Sequence, residues 1–403
     1  MDIEHMTEEA LQEQCVAWRR WFHKYPEVST KEEHTSEKIV SILTELGLTP
    51  VRGKGHYGVA ATIKGGKPGA MVALRADMDA LSVKEQTGLL CTSKNEGVMH
   101  ACGHDMHMAI LLGTILRLLR RREEIEGSVR VLFQPSEELS PTGGAQYMIQ
   151  DGFLQDVKAV FGLHMWPNYL LGQIGVKPGA LMAGSDRIKV VISGKTSHAG
   201  HPQEGIDAIM AAADFLQQLS HIVSRRISPL ATATINIGTI HGGSRYNVVP
   251  GEVTLEGTIR TLDEENRGKI PEFIRGILEG LKRSVGITYE FNYYYGYPVL
   301  MNWPVPAQLV AETATQVLGE DAVMPHVQPD LTAEDFGFYL QKLPGAFLWL
   351  GCSRKGEPIY GLHNASFCPD ERALSVGSCL MAQVAINALK ELAQGVDFHK
   401  QNI

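Results

Sequence analysis

Residues 71–138 read MVALRADMDALSVKEQTGLLCTSKNEGVMHACGHDMHMAILLGTILRLLRRREEIEGSVRVLFQPSEE. The apolar run Met71–Leu74 leads into Arg75, Ala76 and Asp77. Met108–Leu119 has helical length and composition. Val129–Phe133 is a second short apolar run, followed by Ser136, Glu137 and Glu138. Short runs that are apolar throughout, rather than alternating, predict strands buried on both faces; strands alternating with helices predict an α/β sheet. Sites in such sheets lie beyond the carboxyl ends of the strands, where Asp77 and the two glutamates fall.

The same grammar extends outward. Leu11, Cys15, Trp18 and Phe22 fall at helical spacing, and Ile39, Ile42, Leu43 and Leu46 repeat it before Gly47. Val59–Ile63 reads as another strand, as does Ala159–Leu163, which leads into His164. Ala145–Ile149 reads as a short helix. Near Gly184 the pattern changes. Asp186–Ser193, Ala231–Ile240, Glu252–Arg260 and Thr288–Tyr295 read as strands, with helices over Gly205–Val223 and Glu264–Val285. That is a self-contained βαββαβ unit. Helix and strand signals resume after Pro298, over Pro306–Leu318, Phe347–Leu350 and Ala373–Leu392. The expected architecture is a catalytic α/β domain, residues 1–184 and 298–403, with a central sheet flanked by helices. An α+β, ferredoxin-like domain over 185–297 interrupts it.

Composition narrows the class. The 403 residues carry 37 Lys and Arg against 45 Asp and Glu, a net charge of −8, and 44% are hydrophobic. This excludes a disordered chain and argues against nucleic acid as the main partner. The six cysteines form no CxxC pair, which fits reduced thiols in the cytoplasm. The acidic N-terminus lacks the features of a signal peptide. No apolar stretch is read as reaching the ~20 residues that span a bilayer, because Arg117 interrupts Ala109–Leu119. Gly53–Gly58 matches GxGxxG but precedes a strand instead of opening a helix, so it reads as a turn and not as a dinucleotide site.

The densest chemistry lies in Ala101-Cys102-Gly103-His104-Asp105-Met106-His107, immediately before an apolar helix. Thiolate, imidazole and carboxylate are the usual ligands of zinc and related divalent ions, and Gly103 permits a bend that turns Cys102 and His104 to one point. His107 reads better as a residue supporting the ligands than as a ligand.

This segment, with Arg75-Ala-Asp-Met-Asp-Ala-Leu81, Gln134-Pro-Ser-Glu-Glu138, Gly162-Leu-His164, Ser197-His-Ala-Gly-His-Pro202 and Gly361-Leu-His-Asn364, resembles the dinuclear metal-dependent aminoacylase and carboxypeptidase superfamily. More narrowly it resembles the amidohydrolase branch, which holds N-acyl-amino-acid amidohydrolases, hippurate hydrolases, N-acetyldiaminopimelate deacetylases and indole-acetyl-amino-acid hydrolases. The resemblance runs from about Trp18 to Ala388. It implies that Cys102, His104, Glu138, His164 and His363 ligate two divalent ions, zinc, manganese, cobalt or nickel. Cys102 would bridge them, with Asp105 as the alternative. Glu137 would be the general base of a metal-activated hydroxide, and Asp77 would orient a ligating histidine. Much of the superfamily has a histidine where this chain has Arg75.

In the inserted domain the resemblance implies that His198 donates to the developing oxyanion, often in the partner subunit's site. Asn247 and Arg260 would hold a substrate carboxylate, for which a guanidinium fork is suited. Thr332–Gly337 reads as a helix cap near the site. Trp166 and Asn292–Tyr295 read as core. The implied activity is hydrolysis of an N-acyl amino acid to a carboxylic acid and a free amino acid, by a homo-oligomer assembled through the inserted domain. Dipeptidase or carboxypeptidase action at the same centre is the alternative.

Overall fold

The computed structural model describes residues 3–400, so the first two and last three positions of the predicted spans lie outside it. The chain divides into two compact units. One runs through Leu181 and takes up Met301–Gln328 and the residues from Asp335; the other holds Met182–Leu300 and Pro329–Glu334. The junctions read from the sequence, 184/185 and 297/298, fall inside the second unit. The return of Pro329–Glu334 has no counterpart in the sequence pattern, because backbone contacts hold it and not an apolar period. The Ala183 N–H donates to the Thr332 carbonyl at 2.9 Å.

In the first unit, helix α1 (Glu8–Lys24) buries Leu11, Cys15, Trp18 and Phe22, and the Thr7 hydroxyl caps it by accepting from Ala10 N–H. Helix α2 (Glu33–Glu45) buries Ile39, Ile42 and Leu43. The sheet comprises β1 (Val51–Arg52), β2 (Val59–Lys64), β3 (Lys67–Asp77), β4 (Glu126–Gln134), β5 (Val157–Leu170), β6 (Ile174–Gly175) and a late strand, Gly345–Ser353. Their spatial order is β1-β2-β4-β3-β5-late strand-β6. The central pairs β3/β4, β3/β5 and β5/late strand are parallel, so their carboxyl ends share one rim. Helix α3 (His104–Arg120) and the late helix Ala373–Ala393 bury apolar side chains in the same core.

Three differences from the sequence reading matter. Helix α3 begins at His104, not near Met108, so His104 and His107 sit on its first turn. Strand β5 runs through His164 to Leu170, which places that histidine within a strand. The late helix Ala373–Ala393 is long and apolar enough to cross a membrane, contrary to the reading that no stretch qualifies. Its apolarity serves the core instead: Leu380, Val384, Ala385 and Leu389 are fully buried. Gly53–Gly58 is a loop between β1 and β2, closed by the Gly53 N–H donating to the Gly58 carbonyl.

The second unit has a four-stranded antiparallel sheet, in the order Ala233–Gly242, Glu252–Thr261, Gly184–Ser193, Thr288–Tyr295. Helices Ala208–His221 and Glu264–Val285 share its core through Ala211, Phe215, Ile274 and Leu278. A two-residue ladder pairs Ser197–His198 with Val248–Val249.

Candidate metal centre

Gly103 starts the site. Its φ of +92° is a left-handed conformation that costs an L-residue energy, and a Cβ there would lie 3.2–3.3 Å from the Met165 and Phe367 side chains. This bend turns the chain into α3 between Cys102 and His104. The Cys102 Sγ then lies 3.4 Å from the His164 Nε2. Glu138 and His363 come from loops: the His363 Nε2 is 3.2 Å from the Glu138 Oε1, and the His363 N–H donates to the Ala101 carbonyl at 2.8 Å. The His363 φ of +65° also lies in the left-handed region.

Hydrogen bonds fix which ring nitrogens face inward. The His104 Nδ1–H donates to the Asp79 carbonyl at 2.8 Å, and the His164 Nδ1–H donates to the Met165 carbonyl at 2.8 Å. Each ring therefore leaves Nε2 to face the centre, with its other nitrogen fixed as a ligating imidazole requires. His107 is different. Its Nε2 accepts from the Met165 N–H at 2.9 Å, so its Nδ1–H donates to the Asp77 Oδ1 at 2.6 Å, and both nitrogens are occupied. It packs edge-on against His164, with ring centroids 4.6 Å apart, in a supporting position.

Three sets of ligand atoms each lie within 4.8 Å of one another: Cys102, His104 and His164; Cys102, Glu138 and His363; His104, Glu137 and Glu138. The sets overlap through Cys102, His104 and Glu138, which is the pattern expected of two adjacent ions. Two further observations fit cations. The His104 Nε2 and the Glu138 Oε1 are buried with no hydrogen bond, a costly state for polar atoms that a metal would relieve. The local field is also negative. Burial opposes it, yet Asp77, Asp79 and Glu138 push His104 up to about 10, so a cation can take the place of that proton. Burial, then Glu138, Glu137 and Asp77, raise the Cys102 thiol well above its ordinary value; a neighbouring divalent ion would counter those charges and favour the thiolate.

The structure redistributes some expected roles. Asp77 bonds His107 and the Arg75 guanidinium, the latter at 2.5 Å, while its nearest approach to His104 is 3.8 Å. Asp79, which the sequence reading passed over, holds His104 instead. Its carboxylate also accepts the Glu137 and Glu138 N–H groups at 3.0 and 2.9 Å. Burial works against ionisation of Asp77, but Arg75, His104 and His107 keep its pKa well below the usual range. Arg75 bridges Asp77 and Asp335. Asp335 caps a helix as expected, though not its own: it accepts from Ala145 N–H at the start of helix α4 (Ala145–Gln150). Asp105 is turned away from the ligand groups; its Oδ2 is 2.8 Å from both the Arg19 Nε and the His23 Nδ1. Trp166 is buried and stacks on Trp349 at 4.0 Å.

Within the second unit, His198 is exposed and its Nδ1 accepts from Gly200 N–H at 3.0 Å. The Asn247 carbonyl accepts from Ala199 N–H at 3.1 Å, so Asn247 lies just beyond the end of the ladder that carries His198. The Asn247 Oδ1 is buried without a hydrogen bond. Arg260 lies in the strand Glu252–Thr261, half-buried, donating to the Ile259 carbonyl at 3.2 Å. Burial lowers its pKa against an opposing effect of Asp186, and it makes no ion pair among the described residues.

The model of peptidase family M20/M25/M40 matches residues 73–387, and the chain belongs to that family of hydrolases. It is 38% identical over 392 residues to an N-acetylcysteine deacetylase of Bacillus subtilis, covering 96% of this chain and all of that one. Thermostable carboxypeptidase 1 of Saccharolobus solfataricus is 38% identical over 379 residues, covering 93% of this chain and 95% of its own. Among solved structures, the Bacillus subtilis YXEP protein, described as a dinuclear metal binding peptidase, superposes with a TM-score of 0.83 at 35% identity. That match covers 95% of this chain and 99% of the other.

Proposed function

We propose that the protein hydrolyses the amide bond of N-acyl amino acids, releasing a carboxylic acid and the free amino acid. The observation that carries this reading is the overlap of two ligand triads, Cys102–His104–His164 and Cys102–Glu138–His363, through the buried Cys102, with Glu137 in a third triad beside His104 and Glu138. Cys102, His104, Glu138, His164 and His363 would hold two divalent ions. Such ions supply Lewis acidity toward a carbonyl oxygen and toward water.

Glu137 is the general base. It accepts the proton of the water that adds to the amide carbon, then returns it to nitrogen as the C–N bond breaks. Asp79 fixes the backbone of Glu137 and Glu138, and each glutamate offers its own carboxylate near His104, so one can ligate while its neighbour handles the proton. His198, presented on the exposed ladder of the inserted domain, donates to the carbonyl oxygen as negative charge develops, in the partner subunit's site. Arg260 and Asn247 bind the substrate α-carboxylate, for which a guanidinium without an ion-pair partner among the described residues and the donor end of an amide are suited.

Two copies would associate through the strand Ala233–Gly242, an open edge of its sheet with Ile240 half-exposed. The six cysteines are all free, which fits a reducing cytoplasm. The 38% identity to a carboxypeptidase keeps peptide trimming as the second reading. Apoenzyme reloaded with Zn²⁺, Mn²⁺, Co²⁺ or Ni²⁺ should be screened on N-acetyl and N-benzoyl amino acids beside dipeptides and blocked peptides. Preference for the acyl amino acids supports the first reading, preference for peptides the second, and hydrolysis of neither refutes both.

A further inference from the structure

The loop that carries Glu137 and Glu138 is held in an unfavourable conformation. Ser136, just ahead of them, has a φ of +57°, a region that non-glycine residues rarely occupy without being forced. Three successive amides leave this loop, and all three end on buried carboxylates. Glu137 N–H and Glu138 N–H donate to Asp79. The third, Ser136 N–H, donates to the Glu32 Oε1 at 2.7 Å, and the Ser136 Oγ–H donates to the same oxygen at 3.0 Å.

Glu32 lies far away in sequence, in the connection between α1 and α2, and is completely buried. The rest of that connection reaches the same place. Thr30 N–H donates to the Ser136 Oγ at 2.9 Å, with Thr30 itself at a φ of +68°, and the Ser29 Oγ–H donates to the Asp79 Oδ2 at 2.7 Å. The connection is tied down in turn: Ala80 N–H donates to the Glu27 carbonyl at 2.8 Å, and Glu27's carboxylate accepts from Thr35 N–H at the start of α2. A carboxylate buried this deeply costs stability, and ordinary helix capping is already done by Glu27, so packing alone gives no reason for a glutamate at 32.

We propose that Glu32 is a positioning residue: by holding Ser136 in its left-handed conformation it aims Glu137 at the reacting water and Glu138 at the ions. The inference rests on the proposed function for the identity of the reaction, but not for the clamp itself. It assigns to a segment outside the metal-binding motifs the work of holding the glutamate loop. Displacing a reacting or ligating group by about 1 Å, or removing a residue behind a ligand, costs on the order of 10–100-fold in turnover or metal affinity.

The test compares Glu32→Ala, Glu32→Gln, the double variant Glu32→Ala with Ser136→Gly, and Ser136→Ala. Turnover of an N-acetyl amino acid and Co²⁺ affinity by titration calorimetry are the readouts. Glu32→Ala should lose about 10–100-fold in turnover and weaken Co²⁺ binding, with KM little changed. Glu32→Gln keeps the oxygen that accepts both Ser136 hydrogen bonds and should stay within about threefold of the parent. Glycine at 136 accepts the positive φ freely and should recover part of the loss. Wild-type turnover and Co²⁺ affinity in Glu32→Ala would overturn the proposal, as would equal losses in the Ala and Gln variants without recovery by glycine. If Glu32→Ala does not fold, Ser136→Ala decides: a loss of turnover at unchanged thermal stability supports the clamp, and wild-type turnover overturns it. Glu137→Ala is run alongside. If it binds Co²⁺ and retains full turnover, the reading of the base fails, while the Co²⁺ affinities still judge the clamp.

Discussion

Glu137 and Glu138 are adjacent, chemically identical in solution, and proposed here to do different work. The distinction is testable by separating binding from turnover. Glu137→Ala should retain near-normal divalent-ion content by elemental analysis yet lose about 10²–10⁴-fold in kcat, the range typical of a lost acid–base catalyst. His363→Ala should do the reverse first and lower the ion content after dialysis; full stoichiometry in that variant would remove His363 from the ligand set. Glu32 gives a pH prediction. Burial, then Asp79, raises its pKa from the ordinary carboxylate range to about 7 in the folded chain. The unfolded chain binds that proton only near pH 4.5, so the folded state holds it more tightly and stability from this group falls as pH rises from about 4.5 to about 7. Glu32→Gln cannot ionise. Denaturant titrations should therefore show its stability relative to the parent improving across that window, by at most about 3 kcal/mol, and levelling above it.

At the scale of elements, the site depends on where helix α3 begins. Sequence periodicity alone placed its start near Met108, because Cys102–His107 is polar and looks like loop. The structure starts the helix at His104, and the left-handed Gly103 lets the chain turn there. Gly103→Ala combines a left-handed penalty of about 1–2 kcal/mol with close contacts to Met165 and Phe367. It should lower the thermal midpoint and weaken metal binding together, since it displaces Cys102 relative to His104. An unchanged metal affinity would show that the bend is not what brings those two ligands together. Asp79 shows why part of the site was hard to read. It follows Asp77 by two residues, and a run that reads RADMDA offers nothing to rank one aspartate above the other. Only the hydrogen bonds from His104 and from the glutamate loop separate them.

For the whole molecule, the prediction concerns assembly. Light scattering should give a dimer, and Ile240→Lys on the open edge strand should convert it to monomer, as charged side chains on sheet edges oppose pairing. If His198 works in the partner's site, that monomer should lose turnover while binding divalent ions normally. A fully active monomer would restrict His198 to its own chain or remove it from the mechanism.

The local order of elements was legible in the sequence, as were the residues proposed as ligands, because apolar periodicity, glycine placement and the chemistry of Cys, His and Glu are properties of short segments. Helix Glu264–Val285 and strand Thr288–Tyr295 fall where their pattern put them. Tertiary structure alone decided which nitrogen of each histidine faces inward, that Asp105 answers to Arg19 and His23, that Asp77 serves His107, and that Glu32 reaches Ser136. Those assignments depend on hydrogen bonds between groups far apart along the chain, and a one-dimensional pattern carries no information about which distant donor meets which acceptor once both are buried.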